Sequence, residues 1–132
     1  MWCCGIRGAI TVPSNDGKDI VAATRELLEE MVRANEIETE DIAAIFFTTT
    51  QDLNAEFPAA ATRELGWTQQ LALLCGHEMN VPDSLPRCVR VLMLVNTEKK
   101  ADKIAHIYLG EAKKLLANKI MSETNDTSGG EQ

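Results

Sequence analysis

The chain has 132 residues, enough for one domain with a sizeable core and too few for two. Hydrophobic residues make up 45% and charged residues 25%, an ordinary globular balance. The net charge of −7, with no segregated run of Lys and Arg, argues against nucleic acid or an anionic membrane surface as partner. It leaves room for a small anionic ligand, because two local arginines hold an anion whatever the global sign.

Trp2 to Val12 is rich in apolar and β-branched residues and stops at the turn cluster Pro13-Ser14-Asn15-Asp16-Gly17, which predicts a strand. Ile20, Thr24, Leu27, Leu28, Met31 and Val32 then recur at helical spacing, predicting a helix from about Asp16 to Asn35. Asn15 or Asp16 suits its cap and Asn35 its end. Ile42 to Thr50 reads as a second strand. Its apolar run Ala43-Ala44-Ile45-Phe46-Phe47 suits burial on both faces. Phe57-Pro58 opens a short helix that Gly66 ends. Leu71 to His77 and Cys88 to Thr97 read as strands, separated by a connection that holds Pro82 and Pro86. Ile104 to Leu109 is expected as a last strand, with a helical turn through Leu116.

This order predicts an α/β (α+β) domain over residues 1–118, a mixed five-stranded sheet with one long and one short helix. A polar tail over 119–132 is expected to be mobile. No helix is assigned to the second face of this apolar sheet, so the pattern itself points to burial against other subunits. The N-terminus lacks the basic and apolar regions of a signal peptide, and no apolar run reaches the roughly 20 residues of a membrane span. Cys3, Cys4, Cys75 and Cys88 show no Cys-x-x-Cys spacing, and His77 and His106 lie far apart. Zinc-site spacing is thus absent and free thiols in a reducing cytoplasm are expected.

Two arginines stand out. Arg7 and Arg90 each sit inside an apolar strand, where a desolvated guanidinium needs an anionic partner. One such Arg is usually an edge residue or a structural ion pair. Two in one small domain point to an anion site, with planar recognition of carboxylate as its natural use. Glu78 at a strand end reads alone as a solvated loop carboxylate, and Tyr108 as a core tyrosine. Cys75, with His77 two residues on, invites a nucleophile hypothesis, but a free Cys is more often a small buried hydrophobe. No phosphate loop, nucleophile elbow or His-Glu-x-x-His motif is present. The residues alone lead to an oligomeric α/β domain with an anionic small ligand and do not choose a reaction.

Several motifs in register go further. Gly5-Ile6-Arg7-Gly8-Ala9-Ile10-Thr11-Val12 resembles the opening strand of the small AroH-type chorismate mutases. Asp52 to Ala59 with Arg63-Glu64, Cys75-Gly76-His77-Glu78-Met79, Cys88-Val89-Arg90-Val91-Leu92 and His106-Ile107-Tyr108-Leu109 resemble later motifs of that family, over about residues 5 to 116. The resemblance implies a cytoplasmic homotrimer built as a pseudo-α/β-barrel, with clefts between subunits that convert chorismate to prephenate on the way to phenylalanine and tyrosine. It implies no metal, cofactor or covalent intermediate. By similarity, Arg90 would donate to the breaking ether oxygen, and Glu78 would accept from the ring hydroxyl. Arg7 and Tyr108 would bind the side-chain carboxylate, and Cys75 would be a polar contact near that hydroxyl. Phe57 and Arg63 would come from the adjacent subunit, and Leu115 would line the cleft.

The chain departs from the family pattern at Ala60, where a lysine is usual, at Leu116, where an arginine is usual, and at Leu74, which replaces a small polar residue. Lys113 and Lys114 stand close to the missing arginine. A thinner basic rim is expected to weaken KM before kcat. Two other readings compete: a non-catalytic trimer that binds a carboxylate metabolite, and an enamine-deaminase-like trimer. The joint presence of Arg7, Glu78, Arg90 and Tyr108 argues against the first, and the AroH-type motifs favour the mutase over the second.

Overall fold

The computed structural model describes residues 1–67 and 70–116; the tail expected over 119–132, and the domain boundary at 118, lie outside the described residues. The elements are β1 (Trp2–Thr11), α1 (Gly17–Asn35), β2 (Ile42–Thr49), α2 (Ala60–Glu64), β3 (Ala72–His77), β4 (Cys88–Thr97) and β5 (Ile107–Leu109), with single 3-10 turns before β2, before β5 and after it. The five strands form one mixed sheet in the order β3-β2-β4-β1-β5. The pairs β1–β4 and β2–β4 are antiparallel, while β1–β5 and β2–β3 are parallel. The parallel pair β2–β3 is joined through α2, as such a crossover requires.

Strand periodicity sorts the side chains. Ile6 and Ile10 of β1, Ile45 and Phe47 of β2, and Val89, Val91, Met93 and Val95 of β4 point to one face and are buried. Against them α1 lays Ile20, Leu27, Leu28 and Met31, all fully buried, and α2 adds Ala61. Asp16 caps α1, accepting from the backbone N–H groups of Lys18 (3.1 Å) and Asp19 (3.3 Å). α2 ends at Gly66, whose φ of +72° needs a residue without Cβ strain, and the Trp67 N–H bonds back to the Thr62 carbonyl at 3.1 Å. Pro58 lies in the 3-10-like lead-in to α2 rather than within it.

Among the described residues, neither α1 nor α2 covers the opposite sheet face. Phe46, Leu74 and Leu92 are there 37, 62 and 41% exposed. Among the described residues, the apolar run of β2 is therefore covered on one side, where the sequence pattern suited burial on both. A second difference concerns β5, which spans three residues instead of Ile104 to Leu109. The cause is Asn35. Its side-chain amide is buried and donates to the carbonyls of Met31 and Ala105 (both 2.9 Å), while its carbonyl accepts from the Ala105 N–H at 2.8 Å. Ala105 spends its backbone groups on α1, so sheet pairing starts only after it. The helix itself ends with Glu36 in the left-handed region (φ 54°), and Lys99 Nζ donates to the Asn35 carbonyl at 2.9 Å.

Asn35 thus clamps the approach to β5 onto the end of α1. Replacing it by Ala leaves the Ala105 N–H without its acceptor, and we expect a loss of about 1–3 kcal/mol in urea unfolding. An unchanged unfolding midpoint in Asn35→Ala would show that the clamp is dispensable.

Candidate active site

The uncovered face carries Arg7 and Arg90. On β4, Arg90 lies opposite Thr48 of β2 on one side and Ala9 of β1 on the other; Ala9 in turn faces Tyr108 of β5, and Thr48 faces Gly76 of β3. A single lateral row thus runs Gly76, Thr48, Arg90, Ala9, Tyr108. The next row on the same face holds Leu74, Phe46, Leu92 and Arg7. Arg7 and Arg90 are diagonal neighbours on adjacent strands, about 7–8 Å apart at the backbone. Arg90 and Tyr108 are two strand spacings apart, roughly 10 Å.

Glu78 follows the end of β3, its N–H held by the Thr49 carbonyl at 2.8 Å. That bond turns its side chain across the end of β2. Glu78 Oε2 accepts from the Thr48 hydroxyl at 2.8 Å and lies 3.7 Å from Arg90 Nε. At 3.7 Å the charges attract, but no hydrogen bond closes between them. The Glu78 and Arg90 side chains are 32 and 52% exposed, so both remain reachable.

Arg7, Phe46, Thr48, Glu78, Arg90, Leu92, Tyr108 and Leu115 line one open cleft of about 610 Å³. Two guanidiniums and one carboxylate leave it electropositive in a chain of net charge −7. Beside it, Ala9, Cys88 and Ala112 make a small second core on which Tyr108 and Leu115 pack. Burial pushes the Cys88 thiol up, against the opposing pull of Arg90. The turn into the Leu115 segment needs Gly110 (φ +60°), where a Cβ would stand 2.8 Å from Thr11 Oγ1. That hydroxyl accepts the Glu111 N–H at 3.0 Å.

The remaining sequence candidates fall elsewhere. Phe57, Arg63 and Cys75 line a separate shallow groove of about 260 Å³ beside Leu73 and Leu74. Cys75 therefore groups with Phe57 and Arg63 and not with Glu78, three residues on. Burial raises its thiol pKa, and a hydrogen bond with the Ala59 backbone only partly opposes this. A thiol held protonated is a donor and packing group, not a nucleophile. Lys114 is paired with Glu111 at 2.8 Å and lines a third depression, away from the Arg90 cleft. Sequence reasoning missed Phe46, Thr48 and Leu92. Their signal is a period-two relation to Arg90, visible only once the strand register is known. Among the described residues, no three His, Cys, Asp or Glu side chains gather as a metal ion would need, and no helix is long and apolar enough to cross a membrane.

The thiols offer a direct check of this geometry. Cys3 is exposed and Cys88 is buried. A disulfide reagent at neutral pH should titrate Cys3 fast and reach Cys88 only after denaturant is added, with Cys75 slower than Cys3. Rapid modification of Cys88 in the folded protein would contradict the small core under Tyr108.

Comparison with known proteins identifies the family. The family model described as chorismate mutase type I matches residues 3–118. The chorismate mutase AroH of Thermus thermophilus is 49% identical over 112 residues, covering 84% of this chain and 91% of the relative. That of Bacillus subtilis is 41% identical over 109 residues, covering 83% and 86%. A solved structure of a chorismate mutase from Clostridium thermocellum superposes with a TM-score of 0.82 at 50% identity, over 84% of this chain and 98% of the other. With the family model matching residues 3–118 and relatives 41–49% identical over more than four fifths of the chain, the chain belongs to the chorismate mutase type I family.

Proposed function

We propose that the chain isomerises chorismate to prephenate, a step toward phenylalanine and tyrosine, in clefts formed between the subunits of a cytoplasmic homotrimer. The observation that carries this reading is that Arg7, Arg90 and Tyr108 on one sheet face, and Glu78 just beyond β3, line one cleft. The reaction is a Claisen rearrangement: an ether C–O bond breaks as a C–C bond forms, with no proton transfer. Such a step asks the protein to hold a compact conformer and to meet the charge that separates along the breaking bond. Arg90 donates to the ether oxygen as negative charge grows there. Arg7 and Tyr108 take the side-chain carboxylate. Glu78 accepts from the ring hydroxyl and stands near the side that becomes positive. Leu115 closes the cleft from the C-terminal turn.

Phe57, Arg63 and Cys75 line their own groove within one chain, which supports a cleft completed by a neighbour. The exposed Phe46, Leu74 and Leu92 supply the apolar surface that such a neighbour covers. Assembly of three sheets by these faces yields the pseudo-α/β-barrel with α1 outside. Ala60 and Leu116 leave the rim of the cleft less basic than in the family pattern, so substrate capture weakens before the central step does.

Turnover is followed by loss of chorismate absorbance, with prephenate confirmed by acid conversion to phenylpyruvate. Arg90→Lys keeps the charge but loses the planar fork. We expect kcat/KM to fall by about 10²–10³-fold, the cost of removing one donor at a developing oxyanion. Near-normal turnover in a folded Arg90→Lys protein would remove the assigned role. Light scattering should give three times the 14.5 kDa chain mass. Mixing inactive Arg90→Ala and Arg63→Ala chains under exchange conditions should restore part of the activity, because some clefts then receive both native side chains. No recovery despite exchange would place both arginines in one subunit's site.

A further inference from the structure

Thr48 has no part in the substrate contacts assigned above, yet it sits at the centre of the site. It stands beside Arg90 in the lateral row, and its hydroxyl donates to Glu78 Oε2 at 2.8 Å. The same oxygen lies 3.7 Å from Arg90 Nε. One carboxylate oxygen thus has two suitors, and the shorter contact belongs to the neutral hydroxyl. Glu78 is on the segment after β3 and its side chain is only partly buried. Thr48 and Arg90 are the two groups that hold its carboxylate among the described residues.

We propose that Thr48 is a positioning residue for this reaction, holding Glu78 back from a closed ion pair with Arg90; the inference rests on the site reading given above. A carboxylate and a guanidinium this close frequently form a bidentate fork, with two parallel hydrogen bonds. Such a fork would engage two of the five N–H donors of Arg90 and both oxygens of Glu78, turning the two groups toward each other and away from a substrate. The Thr48 hydroxyl anchors Oε2 against the sheet and leaves Oε1 as the free acceptor. β-Branching suits the part. Thr48 belongs to β2, and its χ1 is stiff, so the hydroxyl direction is set by the strand before any ligand arrives. The backbone bond from the Glu78 N–H to the Thr49 carbonyl fixes the other end of the link at 2.8 Å. Sequence position and strand register therefore converge on one side-chain geometry, in which the acid and the base of an ion pair are kept at charge-attracting distance but unjoined.

The test uses Thr48→Val, which keeps shape and strand preference and removes only the hydroxyl, with Thr48→Ser as the variant that restores it. Circular dichroism and thermal unfolding establish that each protein is folded. Loss of a hydrogen bond to a charged group predicts a fall of about tenfold to a hundredfold in kcat for Thr48→Val, with KM changing less, and Thr48→Ser recovering most of it. The decisive readout is the double variant with Glu78→Ala. If Thr48 works through Glu78, Thr48→Val adds nothing once Glu78 is gone; multiplied losses would mean that Thr48 acts on its own and would overturn the proposal. Wild-type kcat in Thr48→Val, beside an impaired Glu78→Ala, would overturn the positioning role and spare the site reading. Wild-type turnover in Glu78→Ala would bring down both.

Discussion

The register between β1 and β4 is the constraint on which the rest depends. Ten consecutive pairs, from Trp2 opposite Thr97 to Thr11 opposite Cys88, align these two strands. Side chains alternate across a sheet, so this one alignment sends Ile6 and Ile10 into the core with Val89, Val91 and Met93, and Arg7 to the open face with Arg90. A slip by one residue in β1 would bury Arg7 under α1 and expose Ile6. The core side enforces the alignment: Gly8 lets α1 approach so closely that a Cβ there would meet Met31 Sδ at 2.5 Å. The arginine pair of the site is therefore a by-product of hydrophobic packing on the far side of the same strands.

The C-terminal third depends on polar devices instead. β5 has three residues and, among the described residues, pairs with β1 alone, too little to hold itself. Asn35 fixes its approach, and the Arg7 N–H donates to His106 Nδ1 at 2.9 Å just before it. Thr11 and Gly110 shape its exit, and the small core of Ala9, Cys88 and Ala112 supports the turn that leads on to Leu115. The consequence is positional. Tyr108 and Leu115 sit over the cleft because of hydrogen bonds to α1 and β1, not through extensive burial of their own segment.

What could be read in the sequence divides along the same line. The first four strands and α1 announce themselves through long periodic runs, and their ends fall within a residue or two of the expected ones. Arg7 and Arg90 are legible because a charge inside an apolar strand is costly. Tyr108 and Glu78 are not, since a half-buried tyrosine and a strand-end carboxylate are ordinary until their neighbours are known. The short β5 and the role of Asn35 were hidden for a similar reason: Asn at a helix end reads as a stop signal, while its hold on Ala105 spans 70 positions of chain and leaves no local mark. Thr48 is hidden in a run of three threonines whose members differ only in which face they take. Thr49 points inward and is buried; Thr48 meets Glu78.

The site also explains why an acidic chain would leave such an apolar face open. Within one chain, Arg90 is half exposed, and water screens its field. Two charges 4 Å apart interact by about 1 kcal/mol in bulk water and about 4 kcal/mol at an effective dielectric constant of 20. A guanidinium facing solvent is therefore a weak electrostatic catalyst, however well it is aimed. In the proposed trimer, covering Phe46, Leu74 and Leu92 removes that water from the sheet face while a neighbour supplies Phe57 and Arg63. The apolar burial that drives association then also lowers the local dielectric around Arg90 and Glu78. On this reading assembly and activation are one event, and the exposed leucines and phenylalanine belong to the catalytic apparatus as much as the charges they surround.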